Sequence, residues 1–174
     1  TSPYLVRNYI NFEKITITKS FGYNLWKGNN VDSSVEGSES SIAFETGEIK
    51  DKITELKKNN LYDFNYDKIF LDNAIGTIQD DPKLFIERYL KKFFSLTFLN
   101  LKSNYPGYYH PVNIIPIILL SIFFILSILF GYQKKSVYIY LILNLFLTVA
   151  IFSIFFILPR YKLIILPIQL ILIN

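Results

Sequence analysis

Two clusters of side chains could do chemistry in this chain. The first opens with Arg7–Asn8 and resumes as Gly22-Tyr23-Asn24-Leu25-Trp26-Lys27-Gly28-Asn29-Asn30. Arg7 offers a permanent planar cation suited to phosphate or carboxylate. Asn24, Asn29 and Asn30 offer amide donors and acceptors suited to sugar hydroxyls. Trp26, the single tryptophan, suits stacking on a sugar ring or a place at a membrane interface. The other reading of the same residues makes Gly22 and Gly28 turn glycines, the Asn side chains local backbone partners and Trp26 a packing anchor. The second cluster is Arg160–Tyr161–Lys162, between two apolar runs. Its cations read either as ligands for an anionic partner or as residues snorkelling to headgroups.

Other chemistry is excluded by composition. The chain has no cysteine and one histidine, His110, so thiol catalysis, disulfides and His-rich metal sites are ruled out. His110 reads as an interfacial residue. None of the 14 acidic residues forms a recognisable pair, so neither a catalytic residue nor a metal ligand is nominated.

The elements that must position these clusters fall into two parts, 1–111 and 112–174. Residues 112–131 and 137–158 are uncharged runs of about twenty residues, the length a helix needs to cross hydrocarbon. A third apolar run covers 161–174. All three are expected to be membrane helices, because lipid leaves backbone groups no partner outside a helix or closed barrel. Net charge is +4, and Lys134, Lys135, Arg160 and Lys162 are the charged residues after 111. The basic balance thus reports the loops between apolar runs, and no nucleic-acid partner is implied. Methionine is absent, at position 1 as elsewhere, so the chain is expected to be a C-terminal fragment.

Within 1–111, Ser2–Pro3 reads as an extended entry. Alternation over Lys14–Lys19 predicts a short strand. Residues 31–47, rich in Ser, Glu and Gly, read as a surface loop or a lid. Helices are expected over 48–58 and 67–78. Asp81 fits an N-cap and Pro82 the first position of an amphipathic helix from 82 to about 99. Its basic face suits either a helix lying in the plane of the membrane interface or an ordinary packing helix. Tyr105, Tyr108, Tyr109 and His110 are expected at headgroup depth.

Pro3, Arg7-Asn8-Tyr9 and the run from Gly22 to Asn30 together resemble a segment of bacterial GT-C membrane glycosyltransferases related to protein O-mannosyltransferases. That pattern reads P-W-x-x-R-N-Y, a strand, then G-x-N-L-W-x-G-N-N-P. Here Tyr4 replaces the Trp, Phe21 a frequent Gly and Val31 the final Pro. Arg160-Tyr161-Lys162 with Pro167 resembles a second feature, R-Y-R/K-L-P-x-x-P, with Ile164 at the first proline. The resemblance implies a mainly α, integral membrane protein with an amphipathic-helical extracytoplasmic segment, a short β element and three hydrophobic helices. It places 1–111 outside a bacterial inner membrane, a matter the basic residues of the loops leave undecided.

The resemblance further implies the C-terminal part of an enzyme that moves a sugar from a polyprenyl-phosphate carrier to a lipid, glycan or protein acceptor. Substrate-binding residues would be Arg7, Asn8, Asn24, Trp26, Asn29, Asn30, Arg160, Tyr161 and Lys162. Partners would be membrane lipids, the polyprenyl-phosphate donor and the remaining N-terminal membrane domain. The acidic site and the ligands of any divalent metal would lie in that domain, so the piece alone is expected to be inactive. The alternative is a non-catalytic polytopic membrane protein, an assembly or transport subunit, whose extracytoplasmic segment docks partners.

Overall fold

The computed structural model describes residues 2–13, 15, 18, 20–30, 33, 35, 48–56, 58, 61–103, 105–130 and 135–173. The fold is mainly helical. Its elements are α1 (Ser2–Phe12), α2 (Phe21–Asn29), α3 (Glu48–Thr54), α4 (Tyr62–Asp80), α5 (Pro82–Thr97), α6 (Pro111–Phe130), α7 (Lys135–Ser153), a 3-10 turn (Pro159–Tyr161) and α8 (Lys162–Ile173).

One core joins α2 to α4. Leu25, Trp26, Phe70 and Ala74 are buried there, with Tyr23 and Tyr66 packed around them. Phe70 is its hub, meeting the rings of Tyr23, Trp26 and Tyr66 edge-on at 4.9–5.3 Å, the geometry that aromatic quadrupoles favour. A second core holds Leu96 of α5, Phe124 of α6, Leu145 and Val149 of α7, Ile157, and Ile165 and Leu172 of α8. α8 packs on both α6 and α7. α6 and α7 are tied to each other where the Ser127 and Tyr138 hydroxyls hydrogen-bond at 3.1 Å.

α6 and residues 136–153 of α7 are long and apolar enough to cross a membrane, and only 11% and 17% of their apolar windows are buried within the protein. A core helix of a water-soluble domain would be covered. The third apolar run forms a helix of 12 residues, about 18 Å at 1.5 Å per residue, shorter than the hydrocarbon core as far as the described residues run. Among the described residues two candidate spans are therefore present where three were expected.

Several other expectations change. Ser2–Pro3 opens a helix, with proline in the first turn, where its missing N–H costs nothing. α4 starts at Tyr62, earlier than predicted, and α3 ends at Thr54. Asp81 caps α5 as the sequence predicts, its carboxylate oxygen accepting the Leu84 N–H at 2.9 Å. Most of the predicted strand and all of the 31–47 loop except Ser33 and Val35 lie outside the described residues; no strand occurs among those described. The expected helix 137–158 stops at Ser153. Pro159 explains this, since its ring clashes with a helical carbonyl four residues back and forces Leu158 to extended backbone, observed at φ −125°, ψ 151°.

Candidate functional site

The run from Gly22 to Asn29 is helical and Asn30 is its C-cap, so its glycines are not turn residues. They are points of close approach. A Cβ on Gly22 would lie 2.2 Å from the Asp67 backbone oxygen, and one on Gly28 would lie 2.6 Å from the Phe155 carbonyl carbon. Gly22 lets α4 reach the start of α2. There the Asp67 carboxylate accepts the N–H groups of Gly22 and Tyr23, both at 2.9 Å. Gly28 lets the segment beyond α7 press against α2.

That segment has left the helix and must find new partners for its backbone. α2 supplies them. Asn29 Nδ2 donates to the Ile154 carbonyl at 2.8 Å, and the Phe156 N–H donates to the Asn24 carbonyl at 3.2 Å. Asn29 Nδ2 also donates to the Leu25 carbonyl at 2.8 Å, while its Oδ1 accepts from the Lys92 ammonium at 3.1 Å. Asn24 Nδ2 turns back to the Ser20 carbonyl at 2.8 Å, and Asn30 Nδ2 to the Trp26 carbonyl at 3.1 Å. The Asn30 carbonyl accepts from the Arg88 guanidinium. Trp26 is buried and donates from Nε1 to Asn73 Oδ1 at 2.9 Å. Of the first cluster, Asn24, Trp26, Asn29 and Asn30 thus form the seam where α2 meets α4, α5 and the end of α7. Asn8 is buried on α1, and Arg7, on the same helix, is exposed.

Lys92 sits at this seam, 1% exposed. Burial, aided by the neighbouring Arg88 charge, pushes its amine down to about 7. Both readings of the basic face of α5, toward the membrane interface or on an ordinary packing helix, turn Lys92 outward; its burial is set by α2 docking over it, which no local pattern in α5 records.

The second cluster lies elsewhere. Pro159 starts the 3-10 turn, closed by the Tyr161 N–H bond to the Leu158 carbonyl at 2.9 Å. Tyr161 packs on Phe152, ring centres 6.0 Å apart. The turn presents Arg160 on the wall shared by two hollows. The larger, about 610 Å³, is an apolar groove between the end of α5, α6 and α8, walled by Phe98, Ile117, Leu120, Phe123, Leu163 and Leu166. The smaller, about 370 Å³, lies among Tyr105, Tyr108, Asn113 and Pro116. Arg7 lines neither, so the two clusters do not converge there.

Lys162 has a different task. Its ammonium donates to the carbonyls of Ser95 and of Phe98, the latter at 2.6 Å. Gln169 Nε2 donates to the Thr97 carbonyl at 2.9 Å. α5 ends with carbonyls that no later turn can satisfy, and α8 satisfies three of them. A cation there also opposes the negative end of the helix dipole. Gln169, buried inside an apolar helix, was not singled out from sequence; a lone amide in such a run was the available signal.

The segment from α5 to α6 is fastened by tyrosines. The Tyr108 hydroxyl accepts the Asn100 N–H at 3.0 Å, and the Tyr109 hydroxyl accepts the Ser103 N–H at 2.7 Å. Tyr108 is buried within the protein, whereas Tyr105 and Tyr109 are exposed. Gly107, at φ 73°, turns the chain just before Tyr108 and Tyr109. Among the described residues no group of three His, Cys, Asp or Glu could hold a metal ion.

An apolar trough with a guanidinium on its rim can hold an anionic amphiphile, chain in the trough and charge at the rim. Comparison with protein-family models, curated proteins and solved structures finds no match.

Proposed function

We propose that this chain is the membrane-embedded C-terminal part of a transferase that takes a sugar from a polyprenyl-phosphate carrier, and that its own share of the work is to hold the carrier. The observation that carries this reading is the groove of about 610 Å³ with Arg160 on its wall. α6 and α7 cross the membrane as a hairpin, with 1–111 and Arg160 on the extracytoplasmic face of a bacterial inner membrane. Isoprenoid units lie along Leu120, Phe123, Leu163 and Leu166, and the phosphate meets Arg160 at the rim. Transfer of the sugar leaves negative charge on that phosphate, which a fixed guanidinium in a partly dry site stabilises. The exposed apolar residues of α1, Val6, Tyr9 and Ile10, are the surface that the remaining N-terminal membrane domain would cover. The catalytic carboxylate and any divalent metal are supplied from that domain.

A second reading, a non-catalytic membrane subunit, is favoured by one observation: Asn24, Trp26, Asn29 and Asn30 spend their polar groups inside the protein. The two readings part in one experiment. Binding of a polyprenyl phosphate and of the uncharged polyprenol is measured on the full-length protein in nanodiscs, wild type and Arg160→Gln. The phosphate should bind wild type about ten- to a hundredfold more tightly than the alcohol, the worth of one charge-assisted contact. Arg160→Gln should remove that preference. Equal binding of phosphate and alcohol by the wild type leaves the subunit reading.

A further inference from the structure

We propose that α5 does not lie in the plane of the interface but enters the membrane end-on, its last turn and a half below the headgroups and Phe94 against acyl chains. The inference rests on the reading of α6 and α7 as membrane spans. A ladder of contacts marks the descent. Lys92 is bonded to Asn29, and Asn29 to the Ile154 carbonyl, so Lys92 stands level with the end of α7. One residue on, the Phe93 ring stacks on Phe146 at 5.8 Å, about 10 Å back along α7 from Ser153. The Phe98 ring meets Phe124 at 6.0 Å, about 20 Å along α6 from Pro111.

The chemistry changes at the same point. Lys83, Glu87, Arg88, Lys91 and Lys92 are the charged residues of α5, and residues 93–101, FFSLTFLNL, carry no charge. A helix end placed in hydrocarbon must have its carbonyls bonded by protein, since no water is there to do it. Lys162 and Gln169 provide this for Ser95, Thr97 and Phe98. On the outer face Ile86, Leu90 and Phe94 are 55%, 48% and 56% exposed, one above the other at four-residue spacing. Phe94 stacks on Phe98 at 6.4 Å, and Phe98 in turn meets Phe124 of α6; on α6, Ile118, Leu119 and Ile122 are likewise uncovered. The occupant of this face is therefore the same as that of α6, the lipid chains.

An in-plane helix and an entering helix make different predictions for that stripe. The chain has no cysteine, so Ile86→Cys, Leu90→Cys, Phe94→Cys and Ile118→Cys each give one nitroxide site in the full-length protein in liposomes. Depth is read from relaxation by oxygen against a water-soluble nickel chelate. The expected result is depth increasing by about 6 Å at each step from Ile86 to Leu90 to Phe94, with Phe94 in the acyl region like Ile118. Equal depths at the three α5 sites, or a Phe94 label in water while Ile118 reports lipid, would overturn the inference and leave the span reading intact. A Phe94 label shielded from both reagents would overturn it in favour of a protein partner. An Ile118 label in water would remove the span reading and this inference with it.

Discussion

The Asp67 carboxylate bonds the backbone N–H of Gly22 at 2.9 Å, a helix cap supplied by a different helix. Ser20, at the cap position of α2, makes no side-chain cap bond. The arrangement holds only because Gly22 has no Cβ. Gly22→Ala puts a methyl 2.2 Å from backbone oxygen, and Gly28→Ala one 2.6 Å from backbone carbon. Neither neighbour is a side chain that can swing away, so each variant should lose about 3 kcal/mol. Gly76→Ala in α4 is the control. Nothing lies within 4 Å of its added methyl, and it should gain about 0.5–1 kcal/mol from helix propensity. Thermal unfolding of the detergent-solubilised protein reads all three; a Gly22→Ala protein as stable as Gly76→Ala would contradict the close approach.

Trp26→Phe separates packing from sugar stacking. Phenylalanine keeps an aromatic ring against Phe70 but leaves Asn73 Oδ1 without the indole donor. The expected loss is about 1–2 kcal/mol of stability, with the polyprenyl-phosphate binding proposed above unchanged. Weaker binding at unchanged stability would return Trp26 to a ligand site.

Elements with a local signature were legible in the sequence. Asp81–Pro82 announces the start of α5 through capping chemistry, and the uncharged runs announce α6 and α7 through length. What could not be read was which surface each polar residue faces. Asn29 and Lys92 are 63 positions apart, and nothing local distinguishes an amide that binds a ligand from one that binds a carbonyl on another helix. Lys162 shows the same limit: it neighbours Arg160 in sequence, yet one residue lines the rim and the other closes the end of α5. The end of α7 was misjudged for a different reason. Hydropathy continues to Leu158, and the proline that stops the helix acts backwards over the turn before it.

Lys162→Met tests this division of labour. It removes the donor to the Ser95 and Phe98 carbonyls, and two under-satisfied acceptors should cost about 2–4 kcal/mol. Lys162→Arg retains donors and should recover part of that. Arg160→Gln, at an exposed position, should leave the melting temperature within about 1 °C while weakening polyprenyl-phosphate binding. If Lys162→Met melts like wild type, the cap it forms on α5 contributes nothing.

Lys92 makes stability depend on pH. Its amine titrates near 7 in the folded protein against an ordinary 10.5, so the folded-state value is lowered. Between those limits the unfolded chain holds a proton that the folded chain does not. Stability must therefore rise with pH across the window from about 7 to about 10.5. Below 7 both states are protonated and the cost of burying the ammonium is fully present. The sign is opposite to that of a lysine gaining a carboxylate partner, and it follows from burial of the amine first and the like charge of Arg88 second, with a neutral amide oxygen of Asn29 at 3.1 Å in place of a carboxylate. The melting temperature of the solubilised protein should climb by several degrees between pH 7 and pH 9.5. Lys92→Met, which fills the same space without charge, should abolish most of that slope and raise stability at pH 7. Asn29→Asp should act on the same slope differently, because a carboxylate 3.1 Å from the amine raises its pKa, and the slope should shrink even as the lost donor to Ile154 lowers stability overall. A wild-type curve flat from pH 7 to 9.5, or falling, would mean that the Lys92 amine is not held in the low-polarity seam between α2 and α5.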